Sequence, residues 1–139
     1  MTPDRLADLH AQCFTRPRPW GAAEFAALLD SPHAFLLTRP QGFLLGRVIA
    51  DEAELLTLAV APEARRLGIA RALVNGFAAT SRARGAAHAF LEVAADNVPA
   101  QALYRAAGWR ESGRRRRYYG PDLDAIVMTL PLEPGQQGG

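Results

Sequence analysis

The sequence predicts one α/β domain: a mixed, mostly antiparallel sheet with helices on both faces. Three observations carry this expectation. Short apolar runs separated by turn residues fill positions 34–60, the signature of consecutive strands. A long helical pattern follows over 67–84, with Ala70, Leu73, Val74 and Phe77 at i, i+3, i+4 and i+7. A further strand pattern at 88–94 then closes a strand–helix–strand unit, whose crossover requires its two strands to be parallel.

The elements follow in chain order. Thr2-Pro3 is a helix start, with Leu6, Leu9 and Cys13 on one face and Pro17 and Pro19 as breakers. Trp20 leads into a second helix, where Phe25, Leu28 and Leu29 form an apolar stripe ending before Pro32. The runs 34–38, 42–50 and 53–60, separated by Arg39-Pro40-Gln41 and Asp51-Glu52, read as three antiparallel strands joined by tight turns. The helix over 67–84 ends in Arg82, Arg84 and Gly85, where cations and a left-handed cap belong. After the strand at 88–94, a helix over 98–107 is stopped by Gly108, and two last strands lie near 109–118 and 125–130. The predicted order is α-α-β-β-β-α-β-α-β-β.

At 139 residues, 49% of them apolar, the chain can bury one core without disulfides or a metal. Residues 1–133 read as a single domain and 134–139 as a disordered polar tail. The chain has no secretory leader pattern and no run of roughly 18 apolar residues able to span a bilayer, so a cytoplasmic protein without a membrane partner is expected. Cys13 is the only cysteine and reads as a small apolar side chain. His10, His33 and His88 show no metal spacing and read as ordinary surface or packing residues; no metal is expected. Every basic residue is an arginine, and the net charge of +2 is too small to mark a DNA-binding protein. Contact with RNA rests only on the run Arg114, Arg115, Arg116, Arg117, which reads either as a solvated strand end or as a patch for an acidic partner. A monomer is expected.

The stretch Val60-Ala61-Pro62-Glu63-Ala64-Arg65-Arg66-Leu67-Gly68-Ile69-Ala70-Arg71 runs from a strand through a basic turn into the long helix. The first N–H groups of a helix lack partners within it and carry the positive end of its dipole, so an anion placed there satisfies them. Gly68 and Ala70 leave the backbone approachable, and Arg65, Arg66 and Arg71 add charge. A glycine near a helix start is also a common packing choice. Arg65-x-x-Gly68-x-Ala70, however, resembles the Gln/Arg-x-x-Gly-x-Gly/Ala motif of the GNAT superfamily of acetyltransferases. The resemblance implies the GNAT fold with a parallel β-α-β core for acetyl-CoA. It also implies that the amides of Arg66, Leu67, Gly68, Ile69, Ala70 and Arg71 hold the pyrophosphate, while Leu58, Ala59 and Val60 pair with the pantetheine arm as an added strand would.

Leu91-Glu92-Val93 lies in the following strand, and Asn97-x-x-Ala100-x-x-Leu103-Tyr104-x-x-x-Gly108-Trp109 covers the next helix. Asn97 and Tyr104 are about two helical turns apart and share a face. Acetyl transfer to an amine needs a neutral amine, a polarised thioester carbonyl and a proton for the leaving thiolate. A carboxylate suits the first task and a phenol, protonated at neutral pH, the last. Glu92 is the candidate base and Tyr104 the candidate acid, with a backbone N–H of the strand before the phosphate turn holding the carbonyl oxygen. Singly, Glu92 reads as a charge on an exposed strand face and Tyr104 as core.

Together with Pro19-Trp20, Arg117-Tyr118-Tyr119 and Asp124-Ala125-Ile126-Val127-Met128, these motifs resemble the RimI-type ribosomal-protein-alanine N-acetyltransferases within that superfamily, from about residue 13 to 132. The resemblance implies Glu92 as base, Tyr104 as acid and Asn97 as a CoA contact. It places Tyr118 and Tyr119 in the slot for the acceptor's N-terminus, with Trp20 either lining that slot or anchoring the core. The acceptor is then a protein N-terminus, the alanine of a small-subunit ribosomal protein. A lysine side chain, a small amine or an aminoacyl-tRNA are alternative acceptors, and a non-catalytic acyl-CoA-binding module is the alternative from another class. The family opens with a strand, whereas this chain enters a helix at Thr2-Pro3. Either the start lies upstream or the first strand is missing and the sheet edge is open.

Overall fold

A computed structural model describes residues 1–14, 18–65 and 67–132; the expectations placed on Pro17, Arg66 and the tail lie outside the described residues. Helix α1, Pro3–Cys13, begins where Thr2 caps it: the Thr2 hydroxyl accepts from the Arg5 N–H at 3.1 Å, and Asp4 complements the dipole in the first turn. Helix α2, Ala22–Leu29, starts at Gly21, whose N–H donates to the Glu24 carboxylate at 3.0 Å.

Strands β1, Ala34–Arg39, β2, Gly42–Ile49, and β3, Glu52–Val60, form an antiparallel meander. The second turn is Ala50-Asp51 rather than Asp51-Glu52, because Ala50 takes the left-handed conformation at φ 56° and Glu52 is already paired with Ile49. A 3₁₀ turn, Pro62–Ala64, leads to helix α3, Ile69–Ala83, which crosses to strand β4, His88–Ala94, parallel to β3. Helix α4, Val98–Ala106, precedes the hairpin of β5, Arg110–Gly120, and β6, Leu123–Pro131. The predicted element order is thus observed. The sheet runs β1-β2-β3-β4-β6-β5, so β1 is an edge, and no strand precedes α1 among the described residues.

Alternation along β2 assigns the two faces. Phe43 meets Phe25 of α2 at a ring distance of 5.6 Å and His10 of α1 at 6.4 Å. Gly46, on the opposite face, lies under the rings of Phe35 and Phe77, where an added Cβ would come within 2.6 Å and 2.9 Å of their atoms. Phe77 of α3 continues to Trp109, and Trp109 to Tyr104 of α4, at ring distances of 5.9 Å and 6.0 Å. Helices α1 and α2 therefore cover one face, α3 and α4 the other. No described helix is long and apolar enough to cross a membrane.

Candidate active site

The parallel pairing of β3 and β4 is short. Glu52, Ala53 and Glu54 pair with His88, Ala89 and Phe90, and beyond them the strands have no mutual pairing. A bulge explains the divergence: Leu45 of β2 opposes Thr57 while Gly46 opposes Leu55, leaving Leu56 as an extra residue in β3. A bulge bends its strand and raises the local twist, here turning the end of β3 away from β4. The opening is a cavity of about 350 Å³, lined by residues 54–58 of β3 and 91–94 of β4. Asn97 and Tyr104 from α4, Tyr118 and Tyr119 from β5, and His10, Phe14 and Trp20 from the α1–α2 side complete it.

The structure thus gathers Leu58, Glu92, Asn97, Tyr104, Trp20, Tyr118 and Tyr119, residues up to about a hundred positions apart, around one space. Glu92 points from β4 with its side chain mostly covered, and its Oε2 is 2.5 Å from Nε of Arg115. Tyr104 is buried, and burial, reinforced by Tyr119, pushes its phenol well above the ordinary tyrosine range. It remains a proton donor across the neutral range. The Tyr119 phenol is pushed up to about 12, by burial first and then by the nearby Glu92 charge, and its hydroxyl donates to the Glu92 carbonyl at 3.4 Å. Asn97 is not on the face of α4 but caps it, accepting from the Ala100 N–H at 3.2 Å, and lines the cavity from there. Gln101 fixes α4 to the end of β4, donating to the carbonyls of Ala94 and Ala95 at 3.2 Å and 3.0 Å.

The two tyrosines reach the cavity because β5 bulges. Arg115 pairs with Ala125, and the next paired residue is Gly120, opposite Leu123. Asp124 closes the bulge, accepting from the Arg117 N–H and from Arg114 at 2.9 Å each. Those contacts, the backbone donor foremost, hold its carboxyl below the ordinary aspartate range.

Beyond the end of β3, Gly68 takes φ +80°, in the left-handed region, and precedes α3 without a side-chain cap. An added Cβ at Gly68 would meet nothing within 4 Å, and no side chain caps the opening N–H groups of α3, as an anion site requires. The left-handed Gly68 also explains why α3 starts at Ile69 rather than at 67. Arg65 and Arg71 have structural partners: Arg65 Nε donates to the Val60 carbonyl at 3.2 Å, and Arg71 donates to Ala106 of α4 at 3.0 Å. The Val60 carbonyl also accepts from Cys13 Sγ at 3.3 Å. Leu67 is exposed, Ala59 and Val60 are buried, and Ile69 and Ala70 are half-buried.

His10 lies beside the cavity in a way that the sequence reading missed. Its Nδ1 accepts from the Trp20 N–H at 2.9 Å, so Nε2 carries the proton and donates to the Thr57 hydroxyl, also at 2.9 Å. One ring thereby ties α1 to the loop before α2 and to the bulged part of β3, with Phe14 stacked on it at 4.3 Å. The signal available was a polar residue four positions after Leu6, on the apolar face of α1. Burial lowers its pKa from 6.5 to about 4, partly opposed by Glu24. The folded state favours neutral His10, so its contribution is complete above pH 6.5 and is lost as the pH falls toward 4. Between pH 7 and 4.5 the wild type is expected to lose roughly 2 to 3 kcal/mol more than His10→Gln. Urea unfolding of both proteins at the two pH values reads this, and equal losses would remove His10 as the cause.

The Acetyltransferase (GNAT) family matches residues 4–109 of the chain. The [ribosomal protein bS18]-alanine N-acetyltransferase of Escherichia coli K12 is 36% identical over 139 residues, covering 94% of this chain and 93% of the relative. The N-alpha-acetyltransferase RimI of Mycobacterium tuberculosis is 40% identical over 124 residues, covering 83% and 77%. The crystal structure of the Escherichia coli ribosomal-protein-S18-alanine N-acetyltransferase superposes with a TM-score of 0.81 at 33% identity, covering 91% of this chain and 85% of that one.

Proposed function

Because the chain belongs to the acetyltransferase (GNAT) family, we propose that it moves the acetyl group of acetyl-CoA to the α-amine of a protein N-terminus, the alanine of the small-subunit ribosomal protein that its relatives are named for. The observation that carries this reading is the convergence of Glu92, Tyr104 and Tyr119 on the cavity where β3 and β4 part. A parted strand pair offers an unpaired backbone edge to a linear amide-bearing arm, and the uncapped start of α3 offers amides to a pyrophosphate. These two features fit acetyl-CoA at the two ends of one molecule. Leu58 supplies strand edge, Asn97 lines the same channel, and the amides after Gly68 take the phosphates.

Acetyl-CoA supplies an activated thioester carbonyl, and the chain's residues do the rest. Glu92 takes a proton from the incoming amine, directly or through a water. An α-amine of pKa about 8 is only partly neutral at pH 7, so this step matters at neutral pH. Tyr104, kept protonated by burial, gives a proton to the departing sulfur. A backbone N–H of β3, the strand before the phosphate turn, holds the carbonyl oxygen in this reading. Tyr118 and Tyr119 border the acceptor's entry, offering aromatic faces and hydroxyls to a peptide. Trp20, half-buried against His10 and Phe25, serves as both slot wall and core anchor.

Mass spectrometry of peptides incubated with the protein and acetyl-CoA tests the reading. One acetyl group on a free N-terminal alanine, and none on an internal lysine behind a blocked N-terminus, is expected. Acetylation of the lysine, or of nothing despite bound acetyl-CoA, would overturn it. The phosphate end has its own test in Gly68→Ala. Holding a residue with a Cβ at this φ costs about 1 to 2 kcal/mol. Acetyl-CoA affinity is expected to fall roughly tenfold as the loop relaxes, with the peptide KM unchanged. Calorimetric titration with acetyl-CoA measures the first, and an unchanged affinity would argue against phosphate binding at this turn.

A further inference from the structure

Glu92 is a carboxylate whose Oε2 is shut off from solvent and has no aligned hydrogen-bond donor among the described residues. What it has is charge: Nε of Arg115 stands 2.5 Å away. Arg115 is itself held from two sides. Its Cζ lies 5.2 Å from the Tyr118 ring centroid, and its backbone is the last to pair with β6 before the β5 bulge. Its neighbours in the arginine run are used otherwise, since the Arg114 side chain and the Arg117 N–H both bind Asp124. The charged and titratable groups around the Glu92 side of the cavity are Arg115, Tyr118 and Tyr119 from β5, Tyr104 from α4, His10 from α1 and Glu54 from β3. Glu54 is already paired with Arg47 of β2 at 2.5 Å.

We propose that Arg115 is the positioning residue of the candidate base: its guanidinium balances the enclosed Glu92 carboxylate and fixes it beside the tyrosines at the acceptor's entry. This rests on the reading of Glu92 as the base. A carboxylate enclosed without a counter-charge drifts toward its neutral form, in which it accepts no proton. Arginine stays charged at every working pH, and its stem carries the charge across from β5 to the enclosed Oε2. The sequence run that reads as a solvated strand end or an acidic-partner patch therefore contains one arginine with a separate task.

The test uses Arg115→Gln and Arg115→Lys, each alone and combined with Glu92→Gln, assayed for kcat on an N-terminal alanine peptide across pH. Arg115 is more than half exposed, so the variants are expected to fold. Arg115→Gln is expected to lower kcat roughly tenfold at pH 7 and to move the acidic limb of the kcat profile up by about one pH unit, as loss of a neighbouring cation does. Arg115→Lys restores most of both changes, and acetyl-CoA affinity stays the same in all variants. In the Glu92→Gln background, Arg115→Gln adds nothing. An unmoved acidic limb, or a kcat loss of the same size with Glu92 absent, would overturn the proposal, since a residue acting through the fold would behave in that way. If Glu92→Gln alone keeps wild-type kcat, the base assignment itself fails and takes this inference with it.

Discussion

Tyr104→Phe is expected to lower kcat by about a hundredfold to ten-thousandfold while leaving acetyl-CoA affinity within a few-fold of the wild type. The substitution removes one hydroxyl and keeps the ring that packs on Trp109 at 6.0 Å, so the core around α4 loses little. What it removes is a phenol held in its protonated form by burial, beside the cavity between β3 and β4. If that proton is needed by the departing thiolate, the loss falls on the chemical step and not on binding. Steady-state kinetics on the alanine peptide, together with calorimetric titration of acetyl-CoA, separates the two. A collapse of affinity with kcat falling in proportion would make Tyr104 a structural residue.

The order of elements was legible in the sequence because each carries its own local signal. Thr2-Pro3 starts a helix, Pro40-Gln41 and Asp51 punctuate strands, and the 3.6-residue stripe of Leu73, Val74 and Phe77 is buried as its period requires. The candidate site was legible as a list of residues for a different reason: its motifs resemble a family's. What neither local signals nor motif resemblance reached were features created by pairing. The bulge at Leu56, which opens the cavity, depends on the register between β2 and β3, and no residue type marks it. The bulge that brings Tyr118 and Tyr119 inward depends on Asp124 reaching across the hairpin. His10 and Arg115 illustrate the same limit, since each acts through a partner distant in sequence, Thr57 in one case and Glu92 in the other. Asn97 shows a nearer one: seven-residue spacing suggested a shared helix face, yet a residue that caps the helix reaches the cavity from outside it.

Glu92→Gln is expected to reduce kcat/KM on the alanine peptide by roughly a hundredfold or more at pH 7, with a deficit that narrows as the pH is raised toward 9. The narrowing distinguishes loss of a base from loss of shape. Glutamine keeps the volume of the side chain and an oxygen for Arg115, so the β4–β5 contact is largely preserved. At pH 7 most of an α-amine of pKa about 8 arrives protonated, and an enzyme without a proton acceptor waits for the neutral minority. At pH 9 that minority has become the majority, and the missing carboxylate costs less. A structural defect has no reason to heal with pH in this manner, because the amine's titration belongs to the acceptor and not to the fold. The same comparison on a lysine peptide with a blocked N-terminus sharpens the argument: the neutral fraction of an ε-amine of pKa about 10.4 is still climbing at pH 9, so any residual activity on it is expected to keep rising beyond the pH at which the alanine peptide levels off. A pH-independent deficit on the alanine peptide would instead place Glu92 among the residues that hold β4 to β5.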